Sequence, residues 1–467
     1  MYHKRIETFP EEFLFAAGTS AFQVEGGIDE GGRGVAVHDL QPKKPGITDF
    51  SIASDHYHRY KEDIALMKEA GLEAYRFSVS WVRIMPDGKT VNREGIAFYQ
   101  DMINEIVKNG MKPIVTIYHF EYPQALVDRY GGWLSRESID DFERYATVLF
   151  ENFGTAIPYW LTINEQDHLL KICHRIGFPE ELTGKEYMKA AEQASYHMCV
   201  ATAKVIKKCH EMLPNALIGP VANPMPALPA TNEAKDTIAA MEFNELTTYY
   251  ILELHCRGRY SPIHWKYMKD RDILPDICAT DMQLMRENPP DFIGMNYYVS
   301  QTVESSEKEA FEYHDKTVFI EEEAGIYKLA NLEELIKTEW GWNICAEGLK
   351  VAVMDMYQRY QLPIMITENG IGARDTLEDG VVNDEYRIDY LEKHLSQVKD
   401  CLSMGYPIIG YCVWSFIDLV SGREGMDKRY GLVYVNRDND DLKDLKRIKK
   451  KSFYWYQQII KSRGEKL

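Results

Sequence analysis

Eight short apolar runs, each followed by a longer amphipathic stretch, set the limits on what this chain can fold into. The runs are "FLFAAGTSAFQV", "LEAYRFSVSW", "KPIVTIYHF", "IPYWLTIN", "ALIGPVAN", "DFIGMNYY", "PIMITENG" and "YPIIGYCVWSF". Each is rich in aromatic or β-branched residues and reads as a strand. The stretches between them have helical spacing. "SDHYHRYKEDIALMKEAG" offers Ser54 or Asp55 as a start and Gly71 as a stop, and "REGIAFYQDMINEIVKNG" stops at Gly110. "AEGLKVAVMDMYQRYQ" and "DEYRIDYLEKHLSQVKDCLSMG" read alike. Eight strands alternating with helices fit a closed parallel (β/α)8 TIM barrel of the α/β class, one domain over residues 1–467. An open doubly wound sheet lacks support, since no G-x-G-x-x-G follows the first run and no P-loop is present. The charged, weakly periodic stretch from Val299 to Thr338 reads as an extended loop over the barrel mouth.

Charge narrows the function classes. With 72 acidic against 54 basic residues the formal net charge is −18, which argues against a nucleic-acid or anionic-membrane surface. Any anionic ligand then needs a local positive site against a repulsive general field. The start, "MYHKRIETFPEEFLF", has no apolar signal core, and no run of about 18 apolar residues follows. The eight cysteines are scattered without a Cys-x-x-Cys pair, so neither a zinc site nor a disulfide framework is suggested. A cytoplasmic, reduced protein without metal or organic cofactor is the expectation, acting on a small molecule; the sequence leaves homo-oligomerisation open.

In a barrel of this kind, reactive groups lie where strands end. Those ends carry Gln23, Glu25, Arg76, His119, Asn164, Glu165, Asn296, Tyr298, Glu368 and Trp414. Glu165 in "LTINEQ" and Glu368 in "ITENG" would follow the fourth and seventh strands and face each other across the mouth. Two facing carboxyl groups can cleave a sugar acetal: one protonates the departing oxygen while the other attacks the anomeric carbon. They need opposite protonation states at one pH. Arg76 could hold one carboxylate ionised, and Tyr298 could donate a hydrogen bond to it.

These motifs together resemble glycoside hydrolase family 1, the β-glucosidase family, over nearly the whole chain. "TINE" is similar to the acid/base motif, which usually reads T-[FL]-N-E-P, and "ITENG" to the nucleophile motif. "RFSVSWVRIMPDG", "YHFEYPQAL", "DFIGMNYY", "GWNICAEGL" and "KRYGLVYV" follow the family order. The resemblance implies Glu165 as general acid/base and Glu368 as nucleophile of a retaining mechanism, with carboxyl groups about 5–5.5 Å apart. It implies Asn164 on the sugar 2-hydroxyl, His119 and Gln23 on the 3- and 4-hydroxyl side, and Trp414 stacked on the ring. Arg76, Asn296 and Tyr298 would orient the nucleophile, and Trp342 would belong to the leaving-group platform. Gln166 replaces the usual Pro after the acid/base residue, and Phe120 and Glu121 replace the usual Trp-Asp. These departures are expected to face the leaving group.

The stretch "SGREGMDKRYG" refines the expectation. Members that act on plain glucosides carry a Glu there, which accepts from the 4- and 6-hydroxyls, followed by a Trp. Here Ser421 and Gly422 take those places. A carboxylate 4 Å from a phosphate charge would cost about 4 kcal/mol per charge pair at an effective dielectric near 20. Ser421 removes that repulsion, Lys428 supplies a point charge suited to phosphate, and Tyr430 adds a hydroxyl. The three resemble the phosphate-binding set of the 6-phospho-β-glucosidase branch, which implies cleavage of 6-phospho-β-D-glucosides. A β-glucosidase for non-phosphorylated glycosides with an enlarged glycone pocket is the alternative, and a silent carbohydrate-binding barrel is opposed by the two intact carboxyl groups. Glu165 is expected to titrate near 6–7, on the basic limb of the pH profile.

Overall fold

A computed structural model describes residues 4–42, 45–314, 320–331 and 335–467. Its largest sheet is all parallel and closes on itself. In chain order the barrel strands are β1 (Leu14–Gly18), β2 (Ala74–Ser78), β3 (Lys112–Tyr118) and β4 (Tyr159–Ile163). They continue with β5 (Leu217–Gly219 and, past Pro220, Val221–Ala222), β6 (Ile293–Tyr297), β7 (Ile364–Asn369) and β8 (Ile408–Trp414). Each strand pairs with the next, and β8 pairs with β1. Pro220 has no N–H to give, so β5 splits there. Its first piece pairs with β4 and its second with β6, and Gly294 donates to the Pro220 carbonyl (2.8 Å) to close the ring.

Side-chain parity follows from the closure. Ala16, Ala74, Ile114, Leu161, Val221, Phe292, Met365 and Cys412 fill the barrel interior, one from every strand or its start. Their outward neighbours, such as Tyr75, Val115, Trp160, Ile218, Ile293, Ile366 and Tyr411, join the larger core under the helices. Two residues further along, the same inward parity delivers Arg76, Thr116, Thr367 and Trp414. An apolar floor is thus roofed by polar groups at the C-terminal end, which is where a parallel barrel keeps its chemistry.

The helices follow their start and stop signals. His56–Ala70 ends at Gly71 in the left-handed conformation (φ 83°). Asn92 caps Arg93–Lys108 by accepting from the Glu94 N–H (3.2 Å). Ala346–Tyr360 and Glu385–Ser403 lie as their spacing predicts. Part of the Val299–Thr338 stretch is not a plain loop. Gln301–Glu304, Glu322–Glu323 and Tyr327–Leu329 form a small sheet with Ala227–Pro229, while residues 315–319 and 332–334 lie outside the described residues. No described helix is long and apolar enough to cross a membrane.

Candidate active site

The two glutamates meet in one buried network at the C-terminal mouth. Glu368 lies next to a register shift between Ile366 and Glu368, where β7 pairs with β6. Such an irregularity breaks the two-residue alternation. As a result Thr367 reaches Asn296 (Oγ1 donates to Oδ1, 2.6 Å) while the next residue, Glu368, also points into the mouth. Its Oε1 accepts from the Arg76 guanidinium and its Oε2 from the Tyr298 hydroxyl (2.5 Å). Arg76 is wholly buried and held in turn: Nε donates to Thr116 Oγ1 (3.0 Å) and Nη2 to Asn164 Oδ1 (2.6 Å).

Glu165 stands at the end of β4, where the chain turns into the short helix Gln166–Leu169 through a left-handed backbone at Glu165 itself (φ 45°). A non-glycine residue seldom adopts that conformation, and here it turns the carboxyl toward Asn296. The Asn296 amide donates to Glu165 Oε1 (2.6 Å) and to Asn164 Oδ1 (3.1 Å). One amide on β6 thus ties the acid after β4 to the network around β7.

The two carboxyl groups have different surroundings. Burial, then the charge of Glu368, pushes Glu165 up to about 8, above the 6–7 expected from sequence. Burial also raises Glu368, but Arg76, Tyr298 and Asn296 all pull it back. Of the two, Glu368 is the one that ionises and Glu165 the one that keeps its proton.

Residues at the ends of four strands meet beside this network. The His119 Nε2 accepts from the Asn164 amide (3.2 Å), which leaves a proton on Nδ1; that atom is buried without a protein partner. Burial and then Arg76 hold the His119 imidazole well below its usual range, so it is neutral. Trp414 stacks against His119, with ring centres 6.0 Å apart and 17° between planes. Gln23 accepts from Ser20 Oγ (2.7 Å) and donates to the Val420 carbonyl (3.0 Å), which ties the loop after β1 to the loop after β8.

The loop after β8 brings Ser421, Lys428 and Tyr430 to the same mouth. Tyr430 packs edge-on to Tyr298 (6.5 Å), and so does Trp342 (6.0 Å). The buried Lys428 ammonium lies 3.7 Å above the Trp342 ring and forms no ion pair among the described residues. Burial pushes Lys428 down to about 8; the charge of Glu424 supports its protonation and that of Arg423 opposes it. The Ser421 hydroxyl donates to Glu424 Oε2 (2.8 Å).

Several sequence expectations are corrected. Glu25 does not join the mouth: it accepts from Tyr99 (2.6 Å) and Arg83 (3.2 Å) in a buried structural cluster. Gln166 turns inward, donating to Ser195 Oγ (3.1 Å) and accepting from the His255 Nε2 (3.2 Å). Glu121 is likewise buried on Arg33 (2.8 Å). Neither departure faces a leaving group. Phe120 packs against His119 and His168 instead. Sequence reasoning missed Thr116, Thr367 and Glu424. The two threonines were signalled by their inward parity; Glu424 had no signal beyond its place in a charged stretch.

The sequence model of glycosyl hydrolase family 1 matches residues 5–465. An aryl-phospho-beta-D-glucosidase of Bacillus subtilis (strain 168) is 41% identical, each chain covered in full. A 6-phospho-beta-glucosidase of Dickeya chrysanthemi is 37% identical over 98% of this chain and 99% of that one. The solved structure of a beta-glucosidase from Thermotoga maritima in complex with castanospermine superposes with a TM-score of 0.87 at 32% identity, over 98% of this chain and 99% of the other.

Proposed function

The chain belongs to glycosyl hydrolase family 1, and on that premise we propose that it hydrolyses 6-phospho-β-D-glucosides to glucose 6-phosphate and an aglycone or sugar, with retention of configuration. Glu368 attacks the anomeric carbon through the carboxylate that Arg76, on Oε1, and Tyr298, on Oε2, keep ionised. Glu165 gives its proton to the departing glycosidic oxygen. Because Asn296 donates to Oε1 of Glu165, the proton sits on Oε2. In the second half, Glu165 takes a proton from water, whose oxygen attacks the same carbon and releases Glu368. Each step uses the state the surroundings favour: a held anion at Glu368 and a buried acid at Glu165.

Asn164, held by Arg76 and Asn296, faces the sugar 2-hydroxyl. His119 donates its Nδ1 proton and Gln23 its remaining amide proton to the 3- and 4-hydroxyl side. Trp414 packs on the ring and Trp342 borders the leaving group. Ser421, Lys428 and Tyr430 take the 6-phosphate.

The observation that carries the phosphate reading is a buried ammonium, Lys428, without an ion-pair partner among the described residues, on the wall that also holds Tyr298 against Glu368. A chain of net charge −18 that buries a cation without pairing it stabilises an anion there. The relatives named for phosphorylated glucosides support the same reading. The test compares 4-nitrophenyl β-D-glucoside with its 6-phosphate. A kcat/KM for the phosphorylated substrate at least about a hundredfold higher is expected, and equal values would remove the phosphate from the assignment. The carboxylate of Glu424 on Ser421 favours a second reading, a β-glucosidase for unphosphorylated substrates with a widened glycone pocket. The same pair of substrates separates the two.

A further inference from the structure

The stretch Ser421–Gly425 is a tight turn, closed by Ser421 N–H to the Gly425 carbonyl (2.9 Å) and Gly425 N–H to the Ser421 carbonyl (3.1 Å). It displays Gly422, Arg423 and Glu424. Arg175, from the short turn Cys173–Ile176 past β4, donates to the Gly422 carbonyl (3.1 Å). A Cβ at position 422 would lie 2.6 Å from that guanidinium, so the glycine is what lets Arg175 rest on this loop.

Arg175 and Arg423 line one cavity together with Ser421 and Gly422. Neither arginine forms an ion pair among the described residues. Burial and then the neighbouring charge of Arg423 push Arg175 down to about 10, which marks two like charges close together without a counter-ion. The acids on the cavity wall are turned elsewhere: Asp39 binds Arg33 (2.7 Å), and Asp49 accepts from Ser51 N–H (3.0 Å). Lys428 completes a set of three cations around the turn. Glu424 is the carboxylate set among them, on Ser421 and acting on both Lys428 and Tyr430. Two positive charges remain in excess, which matches the charge of a phosphate monoester at neutral pH, about −1.5 to −2.

We propose that Arg175 and Arg423 are the outer arm of the phosphate site, and that the 6-phosphate displaces the Glu424 carboxylate from Ser421 to lie between Lys428 and the two guanidinium groups. This rests on the phosphate reading above and goes beyond it by assigning two more ligands and a built-in competitor. Arginine is suited to the outer position because its fork can bind two phosphate oxygens at once. An unphosphorylated sugar has nothing with which to displace Glu424.

Steady-state kinetics on the full-length enzyme tests this with 4-nitrophenyl β-D-glucoside 6-phosphate and its unphosphorylated parent. Arg423→Met should raise KM for the phosphorylated substrate about tenfold, leave kcat within about twofold and leave the parent unchanged. Arg175→Lys should give a smaller rise, and inorganic phosphate should inhibit both variants less than the wild type. Glu424→Gln should lower KM for the phosphorylated substrate severalfold. If both arginine variants keep the wild-type KM while Ser421→Glu raises it, the outer arm is wrong and the phosphate reading stands. If Ser421→Glu also changes nothing, the phosphate reading falls with it. A higher KM in Glu424→Gln would overturn the displacement.

Discussion

Glu165 and Glu368 are chemically the same group, and their neighbours assign them different work. A guanidinium and a phenol bind one, while a single amide binds the other. Glu165→Gln should lower kcat/KM, which reports the first half of the reaction, by about 10²–10⁴ for a poorly departing alkyl aglycone, and far less for 4-nitrophenol, which leaves without protonation. Equal losses with both leaving groups would contradict the assignment. The pH profile adds an independent check. With the unphosphorylated substrate, kcat/KM should fall about tenfold per unit above pH 8, as Glu165 loses its proton near 8. Lys428 loses its charge in the same range, so the phosphorylated substrate should fall more steeply, toward about a hundredfold per unit. The two carboxyl groups were legible in the sequence because a glutamate that closes an apolar run stands out. The grip of Glu424 on Ser421 was not, since a charge within a polar stretch carries no mark of the direction it faces.

At the scale of the element, the barrel interior tolerates little. A Cβ at Gly294 on β6 would come 3.0 Å from Val221, 3.1 Å from the Pro220 carbonyl and 3.2 Å from the Thr367 methyl. Gly294→Ala should therefore destabilise by about 1–3 kcal/mol in denaturant unfolding. It should also lower kcat, because Thr367 holds the amide that Glu165 uses. Loss of stability with kcat intact would show that the strand packing and the site are uncoupled. Leu161→Ala, one layer further from the mouth, should cost about 2–5 kcal/mol and leave the preference between the two substrates unchanged. The eight strands were readable from their apolar runs and the helices from their stops at Gly71 and Gly110. The break at Pro220 and the small sheet around Gln301–Glu304 were not, because two- to four-residue strands carry too few positions for a period.

Over the whole molecule, a net charge of −18 surrounds a locally cationic pocket. The general field repels an anionic substrate over a Debye length of about 30 Å at 0.01 M salt and only about 10 Å at 0.1 M. Raising salt over that range should increase kcat/KM for the phosphorylated substrate and leave its neutral parent flat. A decrease would mean that the pocket's own cations dominate the approach. The aromatic wall at the mouth has a consequence of its own. Tyr298 donates to the Glu368 carboxylate, its ring leans on Tyr430 and Trp342, and Lys428 rests on Trp342. Both extremities of the pyranose are thereby gauged against a single rigid caliper, and a molecule of the wrong span cannot seat one without misaligning the other.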